Sequence, residues 1–163
     1  MLLTIKGDFM NQPDIRPISP DEYQLQMPYI YTWRDAGILN RITVPAGYIN
    51  DGASVPRLLW SIVRPDGLIR AGALIHDWLC AHAGHIPVDS HQILRNEEWI
   101  PAGKIWARAE GDAMFRRINI EAKMSGWKVH ATYIAIRACG WVGWKDRGDE
   151  VAARIKEQRI SNR

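Results

Sequence analysis

Cysteine is nearly absent: the 163-residue chain has two, Cys80 and Cys139. That is too few for a disulfide framework, and their spacing matches no zinc site. Both thiols are expected to be buried, where cysteine commonly sits. An excess of charge is also missing. The net charge of +3 gives no ground to expect a nucleic-acid partner. Long apolar runs are missing too. The longest candidate, "KVHATYIAIRACGWVGW", is broken by His130, Arg137 and Gly140, and no stretch reaches the ~20 residues of a membrane span. The opening "MLLTIKGDFMNQPD" has no basic region leading into an apolar core, so no secretory signal is expected. These features predict a soluble protein made in the cytoplasm. No glycine-rich phosphate loop, G-x-S-x-G elbow or H-E-x-x-H helix occurs. With no repeat and only short loops, residues 1–163 are expected to form one domain.

Apolar residues, by contrast, make up 47% of the chain, and tryptophan occurs eight times. That is enough for a packed core or an aromatic contact surface. The chain changes character near residue 56. Before it, "LLTIKG", "YQLQMPYIYTW" and "ILNRITVPAGYI" are rich in strand formers and punctuated by Pro and Gly. They predict a small antiparallel sheet over about residues 2–50. After it the pattern is helical. "RLLWSIV" follows Pro56, with Ser54 or Asp51 available as its cap. "LIRAGALIHDWLCAHAG" stops at Gly84, a third helix is expected over about 102–124, and "WKVHATYIAIRACGWVGW" makes a fourth. Residues 145–163 form a charged tail. The predicted class is α+β: a small N-terminal sheet, then a bundle of about four helices over 56–143.

Within the second helix, Ala71, Ala73, Leu74, Ile75, Trp78, Leu79, Cys80 and Ala81 surround His76 and Asp77 on all sides of the wheel. A helix apolar all round is a central one, and an unpartnered carboxylate there costs several kcal/mol, roughly. Neighbours on a helix point ~100° apart, so the two side chains face different partners across one region. In the third helix Ile105, Ala109, Asp112, Phe115 and Asn119 share a face, with Lys104, Arg108, Arg116 and Lys123 mainly opposite. Asp112 is therefore a misplaced acid as well. The expected arrangement has Asp112 accepting the Nδ1 proton of His76, with Nε2 left as a base. Asp77 would hold a cation, with Asp51 and carbonyls of the "NDGAS" turn supplying further oxygens. Such a set suits Ca²⁺ or, less well, Mg²⁺. His82, His85 and His91 trail the same helix, but their spacing matches no zinc motif.

Three segments, "VPAGYINDGASVPRLLW", "ALIHDWLC" and "GDAMF", resemble a family of uncharacterised proteins of tailed bacteriophages and prophages. Its pattern runs V-P-x-G-[FY]-x-T-D-G-A-S-x-P, H-D-x-L-[YC], A-D-x-x-F. Asn50 and Gly111 replace its usual Thr and Ala. The resemblance implies a phage origin, with the host cytoplasm during infection or the virion as location, and no activity. More distantly, the D-G-x-S-x-P turn, the H-D helix and a later helical aspartate resemble the secretory phospholipase superfamily. That resemblance implies His76 as the base that activates water against a lipid ester and Asp112 as its orienter. It also implies Asp77 with loop carbonyls as the Ca²⁺ site. The chain departs from that superfamily in having Cys80 where a tyrosine is frequent, and in lacking its disulfides.

Two functions stay open. One is a metal-assisted hydrolase acting on lipid esters or a membrane surface. It has His76 and Asp112 as catalytic residues, Asp77 and Asp51 as cation ligands, and Ser54 and Gly52 shaping the turn that positions substrate. The other is a non-enzymatic protein contacting virion or host proteins, in which the same residues are a structural polar network.

Overall fold

Of the strand-like runs before residue 50, "YQLQMPYIYTW" and "ILNRITVPAGYI" form strands, while "LLTIKG" lies outside the described residues. The computed structural model describes residues 12–20, 22–50, 67–138 and 144. Strand β1 (Ile15–Ser19), β2 (Glu22–Leu25) and β5 (Ile49–Asn50) make a three-stranded antiparallel sheet in the order β1-β2-β5. Strands β3 (Tyr29–Asp35) and β4 (Ile38–Val44) pair in register from Tyr29↔Val44 to Asp35↔Ile38. Their turn uses Ala36 and Gly37, both at positive φ, the geometry that matches strand twist in a two-residue hairpin. Along β3 the residues alternate: Tyr29, Tyr31 and Trp33 are buried, Ile30, Thr32 and Arg34 exposed. One face of this sheet therefore lies on the core.

The expected small sheet with about four helices is not what forms. Among the described residues there are two antiparallel sheets, of three and four strands, and three helices. A second hairpin, β6 (His91–Arg95) and β7 (Glu98–Pro101), lies inside the stretch 56–143 expected to be helical. It completes a sheet of order β3-β4-β6-β7, with Ile42 opposite His91 and Asn40 opposite Ile93. The physical reason is the second edge of β4. Asn40, Ile42 and Val44 are buried, and a core strand cannot leave one row of amide groups unpaired. Asn96 and Glu97, both at positive φ, close the turn. The expected "RLLWSIV" helix and the charged tail fall outside the described residues.

Helix α1 (Arg70–Ala81) is buried nearly all round, from Ala71 to Cys80 with Ala73 half-covered. It packs Leu74, Ile75, Trp78 and Leu79 against Tyr29, Tyr31, Trp33, Ile42 and Val44 of the sheet. Gly72 lets it approach α2 (Arg108–Glu121) closely: a Cβ there would sit 2.8 Å from Asn119 Oδ1. The helix closes through Ala83 at φ +44°, whose N–H donates to the Cys80 carbonyl, and Gly84, whose N–H donates to the Leu79 carbonyl and whose own carbonyl accepts from Trp106 N–H. That bond docks Trp106 into the core and keeps the chain before it extended. Helix α2 therefore begins at Arg108 and not near 102, with the Glu110 carboxylate accepting the Ala107 N–H. Ile105 precedes the helix and is exposed. A third helix, α3, spans 126–138. Its Ile136 joins Ile69 and Phe115 in a second cluster beside the main core. No helix is long and apolar enough to cross a membrane among the described residues.

Candidate active site

Helices α1 and α2 bring His76 and Asp112 together. Both are buried, at 2% and 0% exposure, and His76 Nε2 lies 2.8 Å from Asp112 Oδ1. The contact is made by Nε2, not by the Nδ1 expected from sequence. An ionised carboxylate only accepts, so the ring donates from Nε2, and the neutral ring then carries its lone pair on Nδ1. Nδ1 lies 3.6 Å from the buried Cys80 Sγ, one helical turn on. The edge of Phe115 meets the ring at 5.8 Å between centroids.

The second oxygen of Asp112 is also engaged. Oδ2 accepts from Arg108 Nε at 3.3 Å, one turn back on α2, and from Arg137 Nη1 at 3.1 Å, on α3. Arg108 donates in addition to the Arg137 carbonyl. Burial pushes the Asp112 carboxyl up. The hydrogen bond and attraction of His76, then Arg137 and Arg108, outweigh it and hold the group below the usual carboxylate range. One acid thus collects donors from three helices. Sequence reasoning missed both arginines. The i, i+4 spacing of Arg108 to Asp112 was a usable signal. Arg137, 25 residues away, offered only its position as a charge in an apolar run.

Asp77, the next residue on α1, is buried too. Its neighbour on the wheel takes the contact to Asp112, as the ~100° step between adjacent residues requires. Asp51, Gly52 and Ser54 lie outside the described residues. Calcium takes 6–8 oxygen ligands. Among the described residues no group of three His, Cys, Asp or Glu side chains is placed to hold a metal ion. Asp77 by itself does not make such a site.

Two of the three trailing histidines, His82 and His91, have other partners. His82 Nδ1 bonds the Trp78 carbonyl at 2.9 Å. His91 Nε2 bonds Asn40 Oδ1 at 3.0 Å and its ring stacks on Trp33. Burial, then the charge of Lys104, pushes the His91 pKa down to about 4. Between about 6.5, the value for a solvated ring, and about 4, the unfolded chain takes up a proton that folded His91 refuses. This contribution to stability is therefore intact above pH ~6.5 and lost as pH falls towards ~4. Urea unfolding across that window should show the decline, and His91→Gln should flatten it. An unchanged slope in the variant would place the ring in water.

The sequence model of a family described as "Protein of unknown function (DUF1353)" matches residues 23–136. That span runs from β2 through α3 and includes His76, Asp77 and Asp112. No curated protein and no solved structure matches the chain.

Proposed function

Given that the chain belongs to the DUF1353 family, whose function is unknown, its chemistry rests on its own residues, and we propose that it is a phage-encoded hydrolase with His76 and Asp112 as a general-base dyad. The observation that carries this reading is the buried 2.8 Å contact from Nε2 to Oδ1. A carboxylate on one ring nitrogen fixes the tautomer and aims the other nitrogen. Nδ1 of His76 then takes the proton from a water as its oxygen adds to the ester carbonyl, Asp112 stabilises the charged ring, and the ring returns the proton to the departing alkoxide as the acyl–oxygen bond breaks. Arg108 and Arg137 keep Asp112 ionised while that happens. Lipid esters are the proposed substrate, by the likeness of the H-D and later Asp pattern to secretory phospholipases. Asp77 and Asp51 are the proposed seat of a divalent cation, Ca²⁺ before Mg²⁺, which supplies electrostatic stabilisation of an oxyanion when bound. Gly52 and Ser54 belong to the turn that would position substrate.

A second reading is favoured by the two arginines. With both oxygens of Asp112 engaged across three helices, the cluster also suits a structural network in a non-enzymatic virion or host-interaction protein. Fatty-acid release from phospholipid vesicles, with Ca²⁺ and with a chelator, separates the two. The hydrolase reading expects Ca²⁺-dependent release that His76→Ala abolishes. No release from the folded wild-type protein on any phospholipid ester contradicts it.

A further inference from the structure

Helix α3 buries Val129, Thr132 and Ile136 and turns a different stripe to solvent. Trp127, Ala131, Ile134 and Ala138 follow one another at i, i+4, i+7 and i+11, which lines them up along the outward side. Trp127 is 61% exposed and Ile134 52%. A tryptophan and an isoleucine left open on one stripe are unusual where no partner covers them. The flanks are basic. Lys128 holds its Nζ 5.6 Å from the centroid of the Trp127 ring, and His130 and Arg137 stand on the other side. The helix contains no acidic residue between 126 and 138. Beside it, Arg116 covers Tyr133 on the adjoining surface of α2. Glu121, which lines a hollow with Tyr133, is already held by Arg117 and the Tyr31 hydroxyl.

We propose that the outward face of α3 docks on an anionic lipid surface, with Trp127 and Ile134 entering the interface and Lys128 meeting the headgroups. Charge selects this occupant over a second copy of the chain. A symmetric pairing of two such helices would set Lys128 against a face with no acid between 126 and 138 to answer it. Tryptophan favours the boundary between headgroups and acyl chains, and flanking lysines extend their ammonium groups towards phosphate. The described part of the helix, residues 126–138, runs about 20 Å at the usual rise. That length can lie along a bilayer, and among the described residues no helix is long and apolar enough to cross one. The docking face does not depend on the reading of His76 and Asp112, because Trp127, Ile134 and Lys128 take no part in that contact.

The test is co-sedimentation of the full chain with vesicles of phosphatidylglycerol and phosphatidylcholine in equal parts, against phosphatidylcholine alone. It is run with the His76→Ala variant, so that hydrolysis cannot alter the vesicles. Binding to the anionic vesicles is expected, weakened by salt and reduced at least tenfold by a Trp127→Ser, Ile134→Ser double substitution with unchanged melting. Lys128→Glu should weaken binding to anionic vesicles alone. No sedimentation with anionic vesicles, equal binding to neutral ones, or undiminished binding by the double variant overturns the proposal. The first of those outcomes would turn attention to an acidic protein partner. None of them bears on ester hydrolysis, which is read separately on the wild-type chain.

Discussion

Asp112→Ala is expected to cost about 3–5 kcal/mol of folding stability, the range for removing one partner of a buried ionic cluster. The carboxylate is fully buried and answers an imidazole and two guanidiniums. Without it, His76 Nε2 loses its acceptor inside the core, Arg108 loses the acceptor of its Nε, and a void opens between α1 and α2. The penalty is not shared evenly. The Arg137 side chain is 44% exposed, so its charge can turn to water. Arg137→Ala should accordingly cost only about 0–1 kcal/mol, as exposed ion pairs do. Urea denaturation of the two variants reads both numbers. A loss below about 1 kcal/mol for Asp112→Ala, well under the buried-pair range, would mean that the carboxylate is solvated and the three-helix cluster does not exist.

On the proposed hydrolase reading, His76→Ala should lower ester hydrolysis by about 10²–10⁴-fold, the usual contribution of a positioned general base. Its structural cost is smaller, about 1–3 kcal/mol for stranding the Asp112 oxygen. A domain with the ordinary 5–15 kcal/mol of stability, roughly, survives that. The variant is therefore expected to be folded and inactive. Asp112→Asn makes a useful companion. It keeps the shape but removes the charge that stabilises a protonated ring, so hydrolysis should fall while the fold persists. If the network reading is right, both variants lose stability and there is no hydrolysis to lose. The outcomes therefore differ in kind as well as in size.

Much of this site could be read from the sequence because burial leaves a local signature. Nothing polar except His76 and Asp77 interrupts residues 71–81, and α1 is central in the fold. Asp112, Phe115 and Asn119 share a spacing of three and four, and all three are fully buried. Ile105 and Ala109, assigned to the same face, are exposed. Trp106 must reach the core, which delays the start of α2 until Arg108. The β6–β7 hairpin was missed because its strands answer a need that lies elsewhere, the unpaired edge of β4. Apart from the buried His91, their own residues are at most partly buried and carry little periodicity. The choice of ring nitrogen was missed for a similar reason. Spacing along a helix tells which way a side chain leaves the backbone but not how its ring is turned, and packing against Phe115 and Cys80 sets that.

The dyad is tested most directly by proton–nitrogen correlation spectroscopy of the His76 ring, at a pH where the ring is neutral. The contact to Asp112 Oδ1 predicts the proton on Nε2, slow to exchange with water, and the lone pair on Nδ1. A ring protonated on Nδ1, or one whose proton exchanges as freely as that of a solvated histidine, would contradict it.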